Sequence, residues 1–225
     1  MVALKTFQNL THERQEEIIT VCLEEFALHE YQAASLSTIV SNLKLAKGSF
    51  YRYFENKQSL FFFLLNHCTE VRLKNDEAYI NNATTDFFEL MTQHFAAKIQ
   101  FDKQFPLHSA FLYNVLQEKN NDELGNIQLI SKLKTIEIIK KLVEIQTKKE
   151  ILRTDIDIDT ISFMVFQTQL LILDYIALTY KIDFRENIRN NKRLYDLPEK
   201  VLTKVSAHFI EILKNGIINN KKHKK

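Results

Sequence analysis

The scarcity of glycine and proline limits what this chain can fold into. Its 225 residues include 3 glycines and 2 prolines, far below average usage. The spacing of Gly48, Gly125 and Gly216 fits neither of the common glycine-rich phosphate-binding loops. Successive β-hairpins also depend on glycine and proline in their turns. The sequence therefore predicts an all-α protein whose helices are joined by polar turns.

Start signals for four helices lie in the first third of the sequence. Thr11 can cap a helix that continues to about Leu28, and Ser35 can cap a shorter one. A third short helix is predicted at about 46–54, and a long helix begins at Lys57. Five further helices are predicted at about 85–102, 106–118, 127–149, 157–181 and 198–218.

A local excess of positive charge lies around the third of these helices. The whole chain carries a formal net charge of only +2, and residues 221–225 hold four of the positive charges. Residues 44–57 contain four cationic side chains and one carboxylate: Lys44, Lys47, Arg52 and Lys57, and Glu55. Two short helices joined by a tight turn, with cations and small residues in the second, are typical of a helix-turn-helix that reads the major groove.

Residues 14–65 resemble the DNA-binding domain of TetR-type (TetR/AcrR-like) transcriptional regulators. In that family, a first helix ending in Phe is followed by a Ser/Thr cap, by Ile-Ala, and by the pattern Lys-Gly-Thr-Leu-Tyr-x-x-Phe-x-x-Lys-x-x-Leu. The matching elements here are Phe26, Ser35, Ile39-Val40, Lys47-Gly48-Ser49-Phe50-Tyr51, Phe54, Lys57 and Leu60.

This resemblance implies a division of the chain by function. An N-terminal three-helix DNA-binding domain with a helix-turn-helix is expected at 1–56, followed by a connecting helix at 57–80. A larger helical effector-binding and dimerisation domain is expected at 81–220, after a break at 81–85, and a basic tail at 221–225.

Three positions depart from the family pattern. Glu30 stands where the family has a glycine after the first helix, Lys44 replaces the turn glycine, and Ala46 replaces the serine cap of the recognition helix. A non-glycine residue in a left-handed turn costs roughly 1 kcal/mol, and a lost cap costs about as much. We therefore expect a less stable turn that keeps its anchor residues.

The resemblance also assigns residues to DNA. Lys47, Ser49 and Arg52 are expected at base edges, because Arg and Lys favour guanine while Ser is permissive. Tyr51 and Lys57 are expected at phosphates, Lys57 near the start of the long helix. The remaining DNA-binding candidates are Ser35 and Thr38 at phosphates, Lys44 beside the groove, Gly48 at a close backbone approach, and Tyr53 at sugar or base.

A homodimer and an enclosed effector pocket are further implications of the resemblance. Dimerisation is expected through the helices at 157–181 and 198–218, the first of which is apolar nearly all round. The interface candidates are Leu170, Leu171, Leu202, Val205, Phe209 and Ile212. The pocket is expected to take a hydrophobic small molecule. Its candidates are Phe88, Met91, Phe95, Phe111, Tyr113, Phe163, Phe166 and Gln167.

The resulting expectation is a cytoplasmic bacterial regulator, a dimeric repressor released from a palindromic operator in double-stranded DNA by a small-molecule effector. No cofactor, metal site, membrane association or enzymatic activity is expected. The histidines are scattered and lack the spacing of metal ligands. Cys22 and Cys68 fit a reduced compartment. Two alternatives stay open: a family member that activates or answers a protein partner, and a helical adaptor that binds protein without DNA affinity.

Overall fold

The computed structural model of the chain describes residues 4–79 and 86–218. Within these ranges the fold is all-α and contains no β-strand, as the shortage of glycine and proline predicted. The helices of this part of the chain are α1 (Lys5–Gln8), α2 (His12–Leu28), α3 (Leu36–Asn42), α4 (Lys47–Tyr51), α5 (Lys57–Tyr79), α6 (Phe87–Gln104), α7 (Pro106–Gln117), α8 (Ile127–Lys148), α9 (Ile158–Thr179), α10 (Phe184–Arg189) and α11 (Glu199–Ile217).

Local signals in the sequence determine where several helices begin. The Thr11 hydroxyl accepts a hydrogen bond from the Arg14 N–H at 3.4 Å and caps α2. Asp157 accepts from the Thr160 N–H at 2.7 Å and caps α9. Pro106 occupies the first turn of α7, where a missing N–H costs nothing. These starts agree with the predicted ones.

Three features differ from the predicted helices. α4 is shorter than the predicted 46–54, and two helices were not predicted at all, α1 and α10. Helices of four and six residues are too short to carry an apolar stripe, so periodicity did not indicate them. The predicted break at 81–85 and the basic tail at 221–225 lie outside the described residues.

Two compact units make up the chain. The first contains the residues up to Lys74, together with Phe101–Gln128 and Phe184–Leu194. Of the described residues, the second contains 75–79, 86–100, Leu129–Asp183 and 195–218. These units do not follow the boundaries predicted for the functional domains, because α7 and α10 join the N-terminal helices. The functional division itself stays a prediction.

Aromatic packing between α2, α5 and α7 forms the core of the first unit. The ring of Phe61 lies 5.6 Å from that of Phe26 and 5.2 Å from that of Phe111, centroid to centroid, and all three side chains are buried. The Asn114 side-chain amide donates to the carbonyls of Phe26 and Ala27, at 2.9 and 3.0 Å. These two bonds satisfy carbonyls at the end of α2 that have no partner within the helix.

The second unit is built around α9 and α11. Ile161, Val165 and Phe166 of α9 share a buried cluster with Ile210 and Leu213 of α11. Length and composition alone would let α9 cross a membrane. A buried core helix passes the same test, and 44% of the apolar window is buried here.

Candidate nucleic-acid interface

The start of α3 is held by two hydrogen bonds at Ser35. The Ser35 hydroxyl accepts from the Thr38 N–H at 3.2 Å, which makes Ser35 the cap of this helix. The Ser35 N–H donates to the carboxylate of Glu25 in α2 at 2.7 Å. The Thr38 side chain remains exposed. Both predicted phosphate contacts therefore lie at one end of α3, although the Ser35 hydroxyl also has a structural partner.

Lys44 gives the turn between α3 and α4 its shape. Its φ is +54°, in the left-handed region. The Leu45 N–H donates to the Val40 carbonyl at 3.1 Å, and the Lys44 N–H donates to the Ser41 carbonyl at 3.0 Å. This pair of bonds is a Schellman motif with lysine at the position that glycine usually takes. The left-handed turn expected from the sequence is present, and the Lys44 side chain is exposed.

α4 exposes one face and buries the other. Phe50 and the following Phe54 are buried, and their rings lie 5.6 Å apart. Lys47 and Gly48 are exposed, and Ser49 is half-buried. Apart from the neighbouring residues and the backbone of α4 itself, no atom of the described residues lies within 4 Å of the place where a Cβ on Gly48 would stand. The fold itself therefore has no packing reason for a glycine there, whereas a close-lying ligand would supply one.

Lys57 begins α5 and is already partly engaged within the protein. Its Nζ donates to the Gln32 carbonyl at 3.2 Å and lies 4.6 Å from the centre of the Tyr31 ring. Burial lowers the pKa of Lys57, and nearby carboxylates, Glu123 foremost, oppose that shift. The ammonium has further N–H groups to offer a phosphate, and its position is fixed by these contacts.

Sequence reasoning missed the contacts that hold the loop between α2 and α3. The Tyr31 N–H donates to the Glu118 carboxylate at 2.9 Å, and the Tyr31 hydroxyl donates to the Glu123 carboxylate. The Gln58 side chain donates to the Glu123 carbonyl. Burial raises the pKa of the Tyr31 hydroxyl and of the Glu118 carboxyl. Because these partners are far apart along the chain, no local pattern could have indicated them.

The predicted DNA-binding residues thus lie on α3 and its cap, in the turn, on α4 and the two residues after it, and at the start of α5, within one compact unit. They are exposed or half-buried, as a binding surface requires. The exposed ones are Thr38, Lys44, Lys47, Gly48, Tyr51 and Arg52, and the half-buried ones are Ser35, Ser49, Tyr53 and Lys57.

A family model matches the segment of the chain that carries these residues. Residues 18–63 match the family model of bacterial regulatory proteins of the tetR family, and this range contains α3, the turn and α4. The N-terminal part of the chain therefore matches the DNA-binding domain of the tetR family. The resemblance inferred from its motif is confirmed.

The curated relative of the chain is distant in sequence. It is 28% identical over 109 residues to an uncharacterized HTH-type transcriptional regulator, YuxN, of Bacillus subtilis (strain 168), a match over 48% of this chain and 32% of the relative. The chain therefore spans about a third of that relative's length.

Solved structures match the fold over nearly the whole chain. A TetR family transcriptional regulator from Chloroflexus aurantiacus J-10-FL superposes with a TM-score of 0.78 at 24% identity, over 97% of this chain and 99% of that one. A complex of SmeT with triclosan gives a TM-score of 0.66 at 14% identity, over 90% of each chain.

The residues predicted for the TetR effector pocket fall into both compact units. Phe111 is fully buried in the core of the first unit, and the Tyr113 ring packs edge-on against Phe184 of α10, 5.0 Å between centres. The other candidates lie in the second unit: Phe88, Met91, Phe95 and Phe166 buried, Gln167 half-buried and Phe163 exposed.

The predicted dimer residues also differ from one another in exposure. Leu202 and Val205 of α11 are buried within the chain itself, so they are not free for a partner. Leu171 is exposed, and Ile212 is 72% exposed. The remaining two, Leu170 and Phe209, are half-buried. Part of the apolar face of α11 is therefore covered by the chain itself.

Within residues 4–79 and 86–218, no group of three or more His, Cys, Asp or Glu side chains is placed to hold a metal ion. Cys22 and Cys68 are both free and buried, and burial raises the pKa of each thiol.

Proposed function

We propose that this TetR-family chain is a homodimeric transcriptional regulator of a bacterial cytoplasm. It acts as a repressor that binds a palindromic operator in double-stranded DNA. A hydrophobic small molecule releases it. The proposal assigns the chain neither a reaction nor a cofactor.

One observation carries the DNA-binding part of the proposal. The exposed side of α3, the turn and α4 carries Lys44, Lys47 and Arg52, while the opposite side is buried through Phe50. A short, exposed helix with cations and a glycine is suited to enter the major groove. The excess of positive charge lies on that surface, whereas the chain as a whole is nearly neutral.

The contacts sort into base and phosphate groups. Lys47 and Ser49, in the first half of α4, are proposed to contact base edges. Tyr51 and Lys57 are proposed to contact phosphates, as are Ser35 and Thr38 at the start of α3. Arg52 and Tyr53 directly follow α4, and Lys44 adds a positive charge from the turn between α3 and α4.

Dimerisation is proposed through the exposed apolar residues of α9 and α11. Leu171, Tyr175 and Leu178 recur every three or four residues along α9 and are all exposed, Leu178 by 80%. The Tyr175 ring contacts Phe209 of α11, with centres 5.5 Å apart, which makes the stripe continuous with Phe209 and Ile212. A twofold dimer doubles the DNA contact area that one recognition helix supplies.

The effector part of the proposal depends on the second unit. Its buried cluster contains Phe87, Phe88, Met91 and Phe166. Apolar side chains of this kind suit an apolar ligand. SmeT, one of the structural neighbours, is seen in a complex with triclosan. We propose a ligand of similar hydrophobic character, bound by rearrangement of this cluster. Ligand binding would shift the population toward a state that no longer fits the operator.

The test is footprinting of the purified chain on DNA flanking its own coding region, across a salt series, followed by selection on random duplexes. A protected palindrome with a steep salt dependence supports the proposal. Absence of any selected sequence would contradict it and would favour the helical adaptor. In vitro transcription from the protected promoter then separates repressor from activator. A release screen with hydrophobic compounds separates a small-molecule effector from a protein partner.

A further inference from the structure

A cleft lies between the short helix α1 and the recognition helix α4. Its volume is about 300 Å³. It is lined by Thr6, Asn9, Leu10, Ser49, Arg52 and Tyr53. Ser49 and Arg52 also belong to the surface proposed to contact DNA. The cleft is therefore continuous with that surface, and α1 extends it.

Backbone and aromatic contacts fix the α1 side of the cleft. The Leu4 N–H donates to the Tyr53 carbonyl at 3.0 Å, and the Thr6 hydroxyl donates to the Arg52 carbonyl. The buried ring of Phe7 lies 5.1 Å from that of Phe54 and 6.2 Å from that of Tyr53. α1 is thus attached to the end of α4, so the two sides of the cleft keep their spacing without DNA.

The lining residues present hydrogen-bond donors and no carboxylate. The Asn9 and Arg52 side chains are both exposed, and neither has a hydrogen bond or ion pair with the residues that the structure describes. The hydroxyls of Ser49 and Tyr53 add donors. An amide and a guanidinium beside two hydroxyls are a donor set suited to an oxyanion.

We propose that this cleft binds one backbone phosphate of the DNA, with Asn9 and Arg52 as its principal donors. Phosphates form the projecting ridge of the duplex and fit a concave cleft, whereas base edges lie on the groove floor and are reached by projecting side chains. The proposal rests on the DNA-binding function argued above. It places Arg52 at the backbone, where the sequence had predicted a base edge.

The test compares Asn9→Ala, Asn9→Asp and Arg52→Ala in the full-length chain, with fluorescence anisotropy on a selected duplex and on a scrambled one. Asn9→Ala weakens binding to both duplexes by about three- to tenfold and leaves the salt slope unchanged, because no counterion-releasing charge is lost. Asn9→Asp weakens both further, since a carboxylate repels phosphate. Arg52→Ala reduces the salt slope by about 0.9 for each subunit, or about 1.8 for the dimer on a palindrome.

Gln8→Glu is the matched control, because it makes the same charge change one residue away and outside the cleft lining. It is expected to lose clearly less affinity than Asn9→Asp. Methylphosphonate substitution, one phosphate at a time, adds a second readout. At the phosphate in the cleft it weakens the wild type but weakens Asn9→Asp little, because the repulsion disappears with the charge. Thermal unfolding confirms that each variant is folded.

The outcomes separate the two proposals. A wild type that binds no duplex overturns the DNA-binding function. If the wild type binds DNA and Asn9→Asp binds as tightly as the wild type or as Gln8→Glu, the phosphate site in the cleft is overturned, but the DNA-binding function is not. A loss confined to one base-pair position makes Asn9 or Arg52 a base reader and overturns the phosphate assignment.

Discussion

Lys44 holds a backbone conformation that glycine adopts more easily. At φ +54° its Cβ crowds the following carbonyl, a strain of about 1 kcal/mol. Lys44→Gly is therefore expected to raise the free energy of unfolding by about 1 kcal/mol in urea titrations. Lys44→Ala is the control, since it removes the same charge but keeps the Cβ. Equal stability of the two variants would show that the turn carries no strain.

Gly48 is expected to have opposite effects on stability and on binding. Gly48→Ala should stabilise the fold by about 0.5–1 kcal/mol, because α4 has room for a Cβ and Ala is the better helix former. The same methyl should weaken DNA binding by about tenfold, or about 1.4 kcal/mol, if backbone meets DNA there.

Gly216 provides the matched control for this prediction. It lies in α11, is exposed, and has equal room for a Cβ. Gly216→Ala should stabilise the fold without changing DNA affinity in the same anisotropy assay. If Gly48→Ala binds DNA as tightly as Gly216→Ala does, Gly48 is an ordinary helix residue.

At the scale of elements, a pair of histidines joins α5 to α7. The Nε2 atoms of His67 and His108 lie 3.3 Å apart, between the rings of Phe63 and Phe105. Burial lowers the pKa of His67, and burial together with His67 lowers the pKa of His108 to about 4. Glu16 and Glu70 raise the pKa of His67, and Lys74 lowers it. Burial outweighs them, so both imidazoles stay neutral near pH 7.

This pair makes the stability of the first unit sensitive to acid. An unfolded histidine binds a proton as pH falls through about 6.5, whereas His108 in the folded chain binds one only at about pH 4. The pair's contribution to stability is therefore complete above pH 6.5 and is lost as pH falls toward 4. His108→Gln should flatten the dependence of the urea midpoint on pH across that window. Parallel curves for the wild type and His108→Gln would refute the coupling.

Local sequence signals predicted where helices form, but not which surfaces cover them. Thr11 and Ser35 act locally, so each cap with its apolar stripe was enough to predict α2 and α3, while α9 was predicted from its long apolar run. Periodicity also indicated that one face of α11 is buried, but it did not indicate which part of the molecule covers that face. Leu202 and Val205 are covered by the same subunit. Phe111 likewise joins the N-terminal core through contacts that only the folded chain brings together.

For the whole molecule, the proposed dimer links exposed apolar surface to DNA affinity. Leu171 and Leu178 are 50% and 80% exposed in one subunit. Full burial of an exposed leucine contributes about 1.5–3 kcal/mol, of which about half is still available at Leu171 and most at Leu178, and a twofold interface counts each substitution twice. Leu171→Glu and Leu178→Glu should therefore each shift sedimentation toward the monomer. Each should also weaken binding to a palindrome far more than binding to an isolated half-site.

Ile138 of α8 supplies the matched control for this experiment. It lies in the same compact unit and is 63% exposed, but it is on neither α9 nor α11. Ile138→Glu adds the same charge to an exposed apolar position, so it should leave the dimer and the palindrome affinity intact. If Ile138→Glu gave monomers while Leu171→Glu and Leu178→Glu stayed dimeric, the interface would include α8 instead. If the monomeric variants kept full affinity for the palindrome, DNA binding would not require the dimer at all.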